Sequence, residues 1–150
     1  MVLKIIKIIS QGNIFDSQCD FIVNPVNVVG VMGKGLALNF KIKFPNNFKK
    51  YKKFCDDGSF DIGKLLIINE NNKNIINFPT KKHWKNKSEY EYIEKGLEKL
   101  KKAIENYNIK SIAFPKLGCG LGGLEWNIVF SMLKKLEKEI SNEILIEVYI

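Results

Sequence analysis

Apolar and polar positions along this chain alternate between two spacings, and each change of spacing marks an element. "VLKIIKII" and "DFIVNP" concentrate β-branched residues as strands do. "KGLALNFKIKF" then places Leu36, Ala37, Phe40 and Phe44 on one helical face, and Pro45 stops that helix because proline has no N–H to donate. "NNFKKYKKFCDDG" reads as a second short helix closed by Gly58, and "KLLIINENNKNIINF" as two strands about a polar turn. The segment from Thr80 to Lys87 reads as a loop. From Ser88 onward apolar residues recur at 93, 97, 100, 104 and 107, the strongest helical period in the chain, with Ser88 and Glu91 spaced as a capping box. "IKSIAFP" is a buried strand and "KLGCGLGG" a glycine loop. "LEWNIVFSMLKKLEKEI" is a helix with Trp126, Val129, Phe130, Leu133 and Leu136 facing inward, and "EILIEVYI" is a final strand.

This order of elements predicts an α/β fold in which repeated β-to-α connections build a mostly parallel sheet covered by helices on both faces. In such sheets ligands bind where loops leave the carboxyl ends of the strands. Two glycine loops, residues 28 to 35 and 116 to 123, fall at such ends. Their unpaired N–H groups and the positive ends of the following helices suit a diphosphate held between them. No linker, repeat or low-complexity tract interrupts the 150 residues, so one domain over 1–150 is expected, large enough to bury roughly 68–70% of its unfolded surface.

Composition narrows the chemistry. The chain is 45% hydrophobic, yet no run approaches the ~20 apolar residues of a membrane span, and a cytoplasmic protein without a membrane partner is expected. Three scattered cysteines and one histidine argue against a metal site. A net charge of +8, with lysines clustered in "FKIKFPNNFKKYKKF" and "TKKHWKNK", fits either an anionic partner or ordinary solvated faces. Exposed aromatics interleaved with these lysines, which a nucleic-acid stacking platform needs, are not expected.

"GCGLGG" satisfies G-x-G-x-x-G, but it arrives with only one strand still to come, which excludes a dinucleotide fold that places this turn after its first strand. "GVMGKG" lacks the spacing and the Ser or Thr of a P-loop. Asn24 and Asn27 either brace the turn around Pro25 or, since amides both donate and accept, hold sugar hydroxyls. The lysines of "FPTKKHW" either contact phosphates or, with a lowered pKa, attack a sugar's anomeric carbon.

Together "GNIFDSQCDFIVNPVN", "GVMGKGLALNFKIKFP", "INFPTKKHW" and "FPKLGCGLGGLEW" resemble the macrodomain, specifically the branch of the DarG antitoxins and the related terminal ADP-ribose glycohydrolases. The resemblance covers essentially the whole chain and implies a three-layer α/β/α macrodomain with a central mixed, mostly parallel sheet. It implies an ADP-ribose pocket in which Gly33, Lys34, Gly35 and Leu36 form the first phosphate loop, and Pro115, Gly118, Cys119, Gly120, Leu121 and Gly122 the second. Asn27 and Asn24 would lie at the distal ribose, Thr80 beside it, and Asn13 and Ile14 at the adenine. The lysine after "PT" is the catalytic group of this branch, which maps onto Lys81.

The implied activity is cofactor-independent removal of ADP-ribose from thymidine in single-stranded DNA, reversing a DarT-like toxin. The alternatives are a non-catalytic ADP-ribose reader and a basic nucleic-acid-binding domain. Two departures bear on specificity. Asn13 replaces the usual adenine-binding Asp, although its amide oxygen can still accept a hydrogen bond. Gly122 replaces the acidic residue of glycohydrolases that act on protein carboxylates, which favours the DNA-directed reading.

Overall fold

The computed structural model describes residues 2–150. Its centre is a six-stranded sheet built from β1 (Lys4–Ile9), β2 (Phe21–Asn27), β3 (Leu66–Glu70), β4 (Lys73–Lys81), β5 (Ser111–Phe114) and β6 (Ile144–Tyr149). The spatial order is β1-β6-β5-β2-β4-β3. Every neighbouring pair is parallel except β3–β4, which the turn at Asn71 and Asn72 joins as an antiparallel hairpin. Both asparagines adopt positive φ, the conformation that a tight hairpin turn demands.

Four helices cover the sheet: α1 (Gly35–Lys43), α2 (Pro45–Asp56), α3 (Tyr90–Tyr107) and α4 (Trp126–Glu139). On one face Ile93, Leu97, Leu100 and Ile104 of α3 and Val129, Leu133 and Leu136 of α4 pack with Val23, Ile76, Phe78, Ile112, Ile146 and Val148 of the sheet. On the other, Phe40 and Phe44 pack with Ile14, Ile22, Ile75 and Ala113, while Tyr51 of α2 joins Val26, Met32 and Phe60. Neighbouring residues of one strand therefore feed different cores, as a two-faced buried sheet requires. The result is the three-layer mixed-sheet arrangement expected from the order of elements.

Several local expectations need correction. Pro45 does end α1, but it also starts α2 at its first turn, where the missing N–H is harmless; Phe44 serves both helices as cap. The Ser88–Glu91 capping box does not form: Glu89 is the N-cap of α3 without a side-chain cap, and Ser88 is drawn under the second glycine loop. Tyr107, at the end of the apolar period, is 79% exposed because the helix has run past the sheet. β4 continues through Lys81, so Thr80 and Lys81 belong to a strand rather than a loop. Among the described residues, no helix is long and apolar enough to cross a membrane.

Because β1, β2, β4, β5 and β6 are parallel, their carboxyl ends lie along one edge of the molecule. The loops that follow them carry Asn13, the first glycine loop and the second glycine loop, and Lys81 is the last residue of β4 at the same edge.

Candidate functional site

The first glycine loop is held from behind by amide chemistry. Asn27, the last residue of β2, accepts from the N–H groups of Val29 (3.1 Å) and Val31 (3.2 Å) through Oδ1 and donates to Val31 O (2.7 Å) through Nδ2. The hydroxyl of Tyr51 lies 2.7 Å from Asn27 O and 2.8 Å from Asn27 Oδ1, so α2 clamps the same residue. Below it, Asn24 is fully buried and donates to Asn77 Oδ1 (3.1 Å), which also accepts from Asn47 Nδ2 (3.1 Å). Asn77 in turn donates to Asn47 Oδ1 (2.8 Å) and Leu66 O (3.0 Å). Both asparagines singled out in the sequence thus brace the loop and its strand; Asn24 reaches no open surface and Asn27 is 7% exposed.

Sequence reasoning missed Asn47, Asn77 and Tyr51. A signal was present in "NIINF", where an amide interrupts a run that is otherwise buried. A fully buried amide needs partners, so Asn77 announced a network whose other members the sequence could not name.

Past this brace the backbone turns its N–H groups outward. The first bond of α1 runs from Leu38 N to Lys34 O, and the N–H groups of Gly33 to Ala37 have no protein acceptor among the described residues. Lys34 caps the helix without a side-chain hydrogen bond. This combination of a free first turn, a helix dipole and a lysine is an anion seat.

The second loop follows β5. Turn bonds from Cys119 N to Lys116 O, Gly123 N to Gly120 O and Leu124 N to Gly118 O fold it, leaving the N–H groups of Gly120, Leu121 and Gly122 without a protein acceptor among the described residues. Helix α4 begins only at Trp126, so these free donors belong to the turn itself and not to the helix start. Gly122 is obligatory for steric reasons, since a Cβ there would strike Ser88 Oγ and the carbonyl of Gly118. The two loops face each other: a Cβ built on Gly35 would stand 3.9 Å from Leu121 Cδ1. Cys119 donates to Leu117 O at 3.2 Å, and burial pushes its thiol pKa up, which removes it as a thiolate nucleophile.

Beside the first loop, a cleft of about 540 Å³ is lined by Asn13, Ile14, Leu36, Asn39, Pro115 and Tyr149, among others. Four of these are residues expected at a nucleotide. Asn13 Oδ1 already accepts from Phe15 N–H at 2.9 Å as the cap of the turn Ile14–Asp16, leaving one lone pair for a ligand.

Lys81 closes the site from the β4 side. The pairing of β2 with β4 shifts between Val26 and Asn27, so that Lys81, not Thr80, stands opposite Asn27; Val28 N–H bonds to Lys81 O at 3.1 Å. Thr80 is buried at the shift. The Lys81 side chain is half-buried, with Nζ 3.5 Å from Trp84 O. Partial burial, and after it the charge of Lys34, holds its pKa below the ordinary lysine value. An amine of this kind, beside the first glycine loop, is equipped to attack an electrophilic sugar carbon.

The sequence from residue 23 to 133 matches the Macro domain family. The chain belongs to the macrodomain family. It is 45% identical over 120 residues to the DNA ADP-ribosyl glycohydrolase of Thermus aquaticus, a match covering 77% of this chain and 33% of that protein. The fold superposes on the macrodomain of Thermus aquaticus DarG with a TM-score of 0.89 and 38% identity, covering 97% of this chain and 98% of that one. It also matches Thermosipho africanus DarTG in complex with ADP-ribose, with a TM-score of 0.82 and 35% identity over 91% of this chain and 40% of that one. This macrodomain spans about a third of the length of such DNA ADP-ribosyl glycohydrolase relatives.

One expectation about the surface is reversed. Trp84 is 47% exposed among Lys82, Lys85 and Lys87, so the lysine-rich loop of this macrodomain does carry an exposed aromatic.

Proposed function

We propose that this macrodomain, over residues 1–150, is an ADP-ribosyl glycohydrolase that removes ADP-ribose from thymidine in single-stranded DNA, with Lys81 as nucleophile. The observation that carries the reading is the half-buried Lys81 amine, its pKa lowered, at the strand end that bonds to the first glycine loop through Val28 N–H. Adenine occupies the cleft lined by Asn13, Ile14, Leu36 and Pro115. The diphosphate bridges Gly33, Lys34 and Gly35 on one side and Gly118, Cys119, Gly120, Leu121 and Gly122 on the other. Asn24, Asn27 and Thr80 shape the floor beneath the distal ribose, Asn27 by holding loop backbone and Asn24 by its side-chain bond to Asn77.

The chemistry requires no cofactor. Neutral Lys81 Nζ forms a bond to the ribose C1 atom as the bond from C1 to the base nitrogen breaks, and the proton that Nζ then sheds passes to the departing base. The furanose ring of this glycosylamine then opens to an imine between C1 and Nζ. Water then attacks C1, the lysine leaves, and ADP-ribose is released. Partial burial and the charge of Lys34, by lowering the Lys81 pKa, favour the neutral amine that this first step needs. The DarG-type relatives support DNA as the substrate, and a DarT-like DNA ADP-ribosyltransferase as the enzyme that makes it.

The test is release of ADP-ribose from an oligonucleotide bearing ADP-ribosylated thymidine, with ADP-ribosylated protein as the comparison. Wild type is expected to act on the first, and Lys81→Ala to retain ADP-ribose affinity while losing turnover. Equal turnover by Lys81→Ala, or release from the protein substrate alone, contradicts the proposal.

A further inference from the structure

Resting on the DNA-directed reading, we infer that the loop between β4 and α3, residues 82 to 88, is a stacking platform for a nucleobase of the single-stranded DNA that carries the modification, with Trp84 as its surface.

Three observations place it there. The Trp84 carbonyl is 3.5 Å from Lys81 Nζ, so the backbone that carries the indole lies beside the proposed nucleophile. The indole is 47% exposed, although a tryptophan of this core-forming chain had ample apolar surface to pack against. The loop is also docked on the second glycine loop: Ser88 N donates to Gly122 O at 3.0 Å, and the Lys87 stem passes within 3.8 Å of where a Gly123 Cβ would stand. In this proposal the DNA strand leaves the anomeric carbon across this loop.

The loop is built to present the ring rather than to let it wander. His83 Nδ1 accepts from Lys85 N–H at 3.1 Å, and Asn86 N bonds to His83 O at 3.0 Å, closing a tight turn. The His83 and Trp84 rings lie 5.4 Å apart at 31°, so one aromatic supports the other. Lys85 Nζ sits 5.1 Å from the Trp84 ring centroid. That solvated ammonium is readily exchanged for a base, after which it falls to the neighbouring phosphate. Between Glu70 and Glu89 the chain holds no acidic residue, and Lys82, Lys85 and Lys87 give the loop its positive charge. Aromatic surface with tracking cations is the chemistry of sequence-tolerant single-strand binding.

The test measures the affinity of a short unmodified oligothymidylate, and of a duplex of equal length, for the wild-type chain and for Trp84→Ala, Trp84→Phe and Lys85→Gln. Trp84→Ala is expected to weaken single-strand binding about tenfold, with Trp84→Phe recovering most of it. Duplex binding, whose bases are already stacked, should change little. Lys85→Gln should flatten the salt dependence of single-strand binding without abolishing it. Thermal melting of Trp84→Ala close to wild type excludes a folding defect. The inference is overturned if Trp84→Ala binds the oligothymidylate as wild type does, or if single strand and duplex lose affinity equally. No turnover enters this test, so a failed glycohydrolase assay and a failed platform are separate results.

Discussion

As the proposed nucleophile Lys81 acts as a neutral amine, and two features of its surroundings favour that form: partial burial, and the Lys34 ammonium on the first glycine loop. The sign of the pH dependence follows. Because the folded pKa is lowered, the turnover rate should rise with pH and reach half its maximum below pH 10.5, the ordinary lysine value. Lys34→Gln removes one of the two causes, so the midpoint should move toward higher pH while ADP-ribose affinity falls. A midpoint unchanged by Lys34→Gln would mean that burial alone sets the amine. Gly122 belongs to the same scale. Gly122→Asp puts a Cβ against Ser88 Oγ and Gly118 O, and should distort the second loop enough to reduce ADP-ribose binding, measured by calorimetry. Installing the acid found in protein-directed glycohydrolases is therefore expected to damage this loop and not to convert its specificity.

The elements position these residues through contacts that differ in how far they could be read. Helix α3 was legible from its period, and Ile93, Leu97, Leu100 and Ile104 are buried as the spacing demanded. Its start was not. The capping-box spacing was real in sequence, but Ser88 is pulled away by its bond to Gly122, a partner distant along the chain. The same holds for the amide network: glycine density revealed both loops, whereas Tyr51 and Asn47, on a helix following the first loop, show no sign in sequence of reaching back to Asn27 and Asn77. Tyr51→Phe removes a buried hydroxyl from two Asn27 oxygens, and should cost about 1–2 kcal/mol of stability and weaken ADP-ribose binding. Gly96 gives the opposite lesson about propensity. Alanine there gains about 1 kcal/mol of helix preference. Its methyl would, however, enter the ring of the fully buried Phe78, and overpacking of about 1–3 kcal/mol should outweigh the gain. A lower urea midpoint for Gly96→Ala is the expected outcome.

At the scale of the whole molecule, the parallel sheet explains why residues from Asn13 to Gly122 converge. Five strands point the same way, so every loop that leaves their carboxyl ends meets along one edge. The sequence order of elements was enough to infer that edge, and the family resemblance to infer its ligand. Which side chains face the ligand, and which face inward to hold the loops, depended on the three-dimensional packing of α2 and of the loop from 82 to 88. The net charge of +8 is consistent with the same edge attracting a polyanion.

All of this converges on one bond, between Lys81 Nζ and the anomeric carbon. Turnover of an oligonucleotide bearing ADP-ribosylated thymidine, quenched with borohydride and followed by peptide mass spectrometry, reads that bond directly, because hydride reduces the open-chain imine to a stable amine. The account predicts an ADP-ribose-derived adduct on the peptide containing Lys81, absent from Lys81→Ala. An adduct on another residue, or undiminished turnover by Lys81→Ala, would contradict it.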